Sequence, residues 1–192
     1  LFTITLTNNV LSQLSVTTGQ TPQQYVQQIV GSGIIISNVT FSGQANQIGL
    51  SDGSTANMGF NQSVVMAAGD VNGIVGSPVI ADAGTITPFG PGDADILQVA
   101  QSVNVAINTT NDAAVLEFDF VPSSNVVGFN FVFSSDEYTL WVNSQFNDAF
   151  GFFVSGPGIT GPFSSPPGFP GGSENFALVP GTNTCLLYTS DA

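Results

Sequence analysis

The chain has 192 residues, 42% of them apolar and only 7% charged, with 13 Asp and Glu against no Lys, Arg or His, a formal net charge of −13; a typical domain is about 25% charged. The missing cations exclude nucleic-acid binding by phosphate neutralisation, docking of a basic patch on anionic membrane, and any Arg clamp, Schiff-base lysine or histidine base. Each carboxylate must therefore be solvated, bonded to neutral donors, protonated or bound to a cation from solution, and some are expected to bind metal.

The length suits one domain with its own core, and the many Gly, Pro and Phe residues suit short strands joined by turns. Residues 1–6 (LFTITL) alternate Thr with apolar residues. They read as a strand or as the remnant of a signal peptide, so residues 1–14 are set apart from a main domain over 15–184. No apolar run is long enough to span a bilayer.

Thr21 is an N-cap with Pro22 in the first helical position. Tyr25, Val26, Ile29 and Val30 form an apolar stripe, and Gly31 can end the helix. The period then changes to two. Residues 34–42 (IIISNVTFS) predict a strand, and 47–50 and 63–68 predict two more, around a turn centred on Asp52-Gly53 and Asn57. Residues 69–91 read as a long loop.

Residues 92–101 (GDADILQVAQ) predict a short helix with Asp93 and Asp95 near its start. Helix capping is one reading of the pair, and an Asp-x-Asp pair of calcium ligands is the other. Residues 114–121 (AVLEFDFV) predict a half-buried strand, with Ala114, Leu116, Phe118 and Phe120 on one face and Glu117 and Asp119 on the solvated face. The turn at 122–125 predicts a hairpin with 126–133.

The next stretch, 129–156, organises the rest. Phe129, Phe131 and Phe133 alternate before it, and Phe150, Phe152 and Val154 alternate after it. Between them lies a loop rich in acids and amides. Asp136, Glu137, Asn147 and Asp148 offer the oxygen set that calcium takes, with Asp112 and the Asp93/Asp95 pair as further candidate ligands. The alternative is that these acids cap turns and bond backbone amides. Tyr138, Trp141, Asn143 and Gln145 form a candidate ligand-binding rim, in which ring faces stack on sugars and amides fix hydroxyls. The plainer alternative places Trp141, the only tryptophan, in the core.

A carboxylate pair also invites a glycosidase reading. Asp136 and Glu137 are adjacent, however, and no His, Lys or Arg is present to tune them. No nucleophile elbow, zinc motif or phosphate loop occurs, so no enzymatic activity is expected.

Residues 156–172 (GPGITGPFSSPPGFPGG) predict an ordered loop folded back on the domain, and 175–179 (NFALV) a last strand. No fixed-period repeat is present. The final octapeptide, CLLYTSDA at 185–192, contains the only cysteine. It resembles translated sequencing-adapter sequence and is set apart from the fold.

TTNDAAVLEFDFVP (109–122), FNFVFSSDEYTLWVNSQFNDAFGFFVSGPGITGPFS (129–164) and NFALVPGTNT (175–184), with VTTGQTPQQYVQ and SNVTFSGQANQIG upstream, resemble the choice-of-anchor L domain of bacterial surface proteins. That resemblance implies an extracellular, surface-attached module.

The expectation is an all-β, jelly-roll-like sandwich with one or two short helices, serving as a calcium-stabilised adhesion or glycan-binding module. Its partner would be a glycan or another surface protein. The rival expectation is a structural subunit that self-assembles through exposed strand edges.

Overall fold

A computed structural model describes residues 14–56, 59–75, 90–134 and 148–185. Strand β1 (Ser15–Thr17) is followed by helix α1 (Pro22–Val30), then β2 (Ile35–Ser42), β3 (Ile48–Asp52) and β4 (Gln62–Met66). A single 3-10 turn (Val71–Ile74) and helix α2 (Ala94–Val103) precede β5 (Val115–Val121), β6 (Phe153–Val154) and β7 (Glu174–Asn175). The strands form three antiparallel sheets, β1-β3-β4, β2-β5 and β6-β7. The described chain is thus all-β in character, with two short helices.

Helix α1 starts where its cap residues dictate. Thr21 Oγ1 accepts from the Gln24 amide, and Gln24 Oε1 accepts in return from the Thr21 amide at 2.8 Å. This reciprocal pair satisfies two donors that the first turn leaves open. The helix stops at Gly31, whose φ of 72° favours glycine.

The apolar stripe of α1 points inward. Tyr25 and Val26 are buried, and the Tyr25 hydroxyl donates to the Ile48 carbonyl of β3 at 3.3 Å. Val16, Val71 and Gly49 close the same region: a Cβ at Gly49 would come within 2.7 Å of Val16 Cγ1. Among the described residues, Ile48, Val26, Val71 and Val99 are the largest fully buried side chains. Burial of each contributes about 1.5–3 kcal/mol.

The β2–β5 ladder carries one irregularity. Ser37 pairs with Asp119 and Thr40 with Glu117, so two residues of β2 oppose the single Phe118. Asn38 absorbs this bulge with φ 50°, and its amide Nδ2 donates to Asp119 Oδ2 at 2.6 Å. Thr40 Oγ1 reaches Glu117 at 3.5 Å. Glu117 lies on the exposed side, as its place in the alternation predicts, and Asp119 is half-buried.

The hairpin expected between 114–121 and 126–133 does not form. Strand β5 pairs with β2 instead, and 126–134 carry no strand assignment. The period of two holds for β5, but its partner lies far away in sequence rather than across the local turn. The last strand is also shorter than expected, covering only Glu174–Asn175, with Leu178 in an isolated bridge to Cys185.

Candidate functional site

The two phenylalanine segments do meet, although not as a hairpin. Phe129 stacks on Phe152 with ring centroids 4.0 Å apart and planes within 4°. Phe131 and Phe133 both approach the Phe150 ring, at 5.4 and 6.1 Å. The pairings run in opposite directions along the two segments, so Phe133 and Phe150 bring together the two ends of the intervening chain. Side chains two residues apart share a face, which is why FNFVF can supply one side of this ladder.

Asn175 fixes the return flank. Its Oδ1 accepts from the Phe152 amide at 2.9 Å and from the Ala177 amide at 3.0 Å. The neighbouring Phe153 pairs with Asn175 in the β6–β7 ladder and packs its ring on Phe163 at 4.8 Å. Asn175 is 5% exposed, and its Nδ2 is buried with no hydrogen-bond acceptor among the described residues. Sequence reading missed this residue, since a single Asn at the start of a strand carries no distinctive signal.

Of the acidic and amide residues expected between the flanks, Asp136, Glu137, Asn143, Gln145 and Asn147 lie outside the described residues, as do Tyr138 and Trp141. Asp148 lies on the return flank, half-buried and engaged by a partner.

The remaining candidate ligands have neutral donors. Asp93 is the N-cap of α2, its Oδ1 accepting from the Asp95 and Ile96 amides at 2.9 Å each. Asp95 Oδ1 accepts from the Ser164 amide at 3.0 Å and its hydroxyl at 2.9 Å. That contact draws the Gly- and Pro-rich loop back onto α2, as expected for 156–172. Within the loop, a Cβ at Gly161 would fall 1.9 Å from the Ser173 carbonyl oxygen, so only glycine permits the approach.

Asp112 Oδ1 accepts from the Gly90 amide at 2.5 Å, and the Asp112 carbonyl accepts from Gln47 Nε2 at 2.7 Å. Gln47, 3% exposed, also donates to the Ala68 carbonyl and accepts from the Gln44 amide. A buried amide thereby joins three loops, another role that sequence reading missed. Among the described residues, no group of three or more acidic or cysteine side chains is placed to hold a metal ion.

Elsewhere, two aspartates are held below the usual carboxylate range by hydrogen bonds. For Asp52 the donors are the Ser54 hydroxyl and then its amide. For Asp70, which caps the 3-10 turn, the leading donor is the Asn72 amide.

Among protein-family models, the choice-of-anchor L domain matches residues 13–190. No curated protein and no solved structure matches the chain. Among the described residues, no helix is long and apolar enough to cross a membrane.

Proposed function

The chain belongs to the choice-of-anchor L domain family, which makes it a bacterial surface-associated protein, and from this we propose that it is an extracellular adhesion module that binds glycan through the 135–147 segment. The observation that carries the reading is the phenylalanine ladder. It brings together the flanks of a segment whose sequence concentrates Asp136, Glu137, Tyr138, Trp141, Asn143, Gln145 and Asn147. Segments tied at their flanks to an ordered scaffold commonly carry recognition residues.

Calcium is part of the proposal. Asp136, Glu137 and Asn147, with Asp148, supply hard oxygen donors, and the sequence offers them no Lys, Arg or His partner. Asp93, Asp95 and Asp112 are better assigned to capping and loop anchoring, because each already accepts from backbone or hydroxyl donors. The module acts by binding rather than catalysis, in keeping with a sequence that has no His, Lys or Arg to orient or tune a carboxylate pair. A jelly-roll-like sandwich is the arrangement we propose for the three sheets. Its support is antiparallel pairing throughout and the non-sequential neighbours β1-β3 and β2-β5.

The test is a glycan array probed in calcium and in chelator. The proposal expects oligosaccharide signals that weaken in chelator and vanish for Trp141→Ala, with the melting midpoint of that variant unchanged. An array without signal in either buffer contradicts it.

A further inference from the structure

Residues 127–134 have the alternation of a strand and no ladder. Phe129, Phe131 and Phe133 turn to one side, against Phe150 and Phe152. Asn130 and Val132 are exposed, as are Val126 at 82% and Val127 at 61%. No backbone amide or carbonyl of 127–134 takes part in a backbone–backbone hydrogen bond among the described residues. A stretch that enters no ladder can take water or a strand from outside. The ring contacts hold one side of the stretch in place.

Charge identifies the partner. The chain carries −13 and no side-chain cation, so two copies repel wherever their carboxylates face. From Phe120 to Ser135 there is no charged residue. A basic partner would gain nothing at this neutral stretch and would be drawn to the carboxylates elsewhere. A second copy can approach here with the least repulsion. The sequence is also self-complementary about Asn130. Antiparallel pairing places Phe129 opposite Phe131, Gly128 opposite Val132 and Val127 opposite Phe133. Every flanking rung is then free of opposed charge, and the two Asn130 amides face each other.

We propose that residues 127–133 are a self-association edge, through which two copies of this chain pair antiparallel about a two-fold axis at Asn130. This goes beyond glycan recognition and does not depend on it.

The experiment combines sedimentation velocity over a concentration series with hydrogen exchange on the same samples. The expected result is a monomer–dimer equilibrium in which the amides of 127–133 become protected only as dimer forms. Asn130→Asp sets two carboxylates across the axis and should weaken dimerisation about ten-fold or more. Added salt should restore part of that loss. Asn61→Asp makes the same charge change at an exposed site outside the proposed edge segment and should leave the equilibrium unchanged. Three results would each overturn the proposal: a monomer at every concentration, equal protection of 127–133 in the dilute monomer, or equal weakening by the two variants. Both substituted residues are exposed, and a melting curve for each confirms that the variant is folded.

Discussion

Phe129 and Phe152 lie face to face, 4.0 Å between centroids, on either side of a segment whose ends they draw together. Each ring lies in a different stretch of chain, so their contact is a long-range tie across 135–147. Phe152 is further held by Asn175, whereas Phe129 is 36% exposed.

Removing either ring should therefore destabilise the fold, but by less than a fully buried aromatic would. Phe129→Ala and Phe152→Ala are each expected to cost about 1–3 kcal/mol, below the 3–5 kcal/mol typical of deep sites. A double-mutant cycle in urea should show coupling of about 0.5–1.5 kcal/mol. Strict additivity would mean that the stack does not tie the flanks.

The first helix offers a cleaner test of local chemistry. Thr21→Ala removes the acceptor for the Gln24 amide and should cost about 1 kcal/mol. Thr21→Ser keeps the acceptor and should cost much less. Equal losses for the two substitutions would point to the lost methyl group rather than the cap.

Asp93 separates capping from metal binding. Its Oδ1 serves two amides of the first turn of α2, so Asp93→Ala should lose about 0.5–2 kcal/mol, equally in calcium and in chelator. Asp93→Asn should be nearly neutral, because Asn caps as well as Asp. A penalty that appears only when calcium is present would return Asp93 to the set of ligands.

Much of this was legible in the sequence. Thr21, Pro22 and Gly31 mark α1 because capping is a local interaction, and Asp93 marks the start of α2 for the same reason. The phenylalanine alternation marked which rings share a side, but not that the two segments meet ring to ring, nor that 126–134 form no strand. Legibility ended where pairing depends on distant chain. Nothing local to 114–121 says that β2 is its neighbour, and the Pro122 turn pointed to a hairpin instead. Gln47 and Asn175 were invisible because their importance lies in which backbone groups arrive beside them. Asp95 was ambiguous until Ser164 supplied its donors.

Electrostatics should respond to salt in one direction. With no cation to form a favourable pair, side-chain charge interactions are repulsive, and stability should rise as salt screens them. Asp52 and Asp70 add a local contribution of known sign. A carboxyl held below its usual value in the fold stabilises fully above the unfolded value, near 3.8. That contribution is lost as pH falls through the depressed folded value. The destabilisation by Asp70→Ala should accordingly be largest near neutral pH and shrink below about pH 3.8. A penalty independent of pH in thermal melts would rule out the ionised carboxylate as its source.

The most direct test of the recognition role replaces residues 135–147 with a Gly/Ser stretch of equal length and compares it with the parent chain. Melting and binding to array-positive oligosaccharides would be measured on the same preparations. The account predicts a cooperative unfolding transition in the replaced protein, because the flanks remain tied through Phe129 and Phe152, together with complete loss of glycan binding. Retained binding would contradict it, since recognition would then reside elsewhere on the domain.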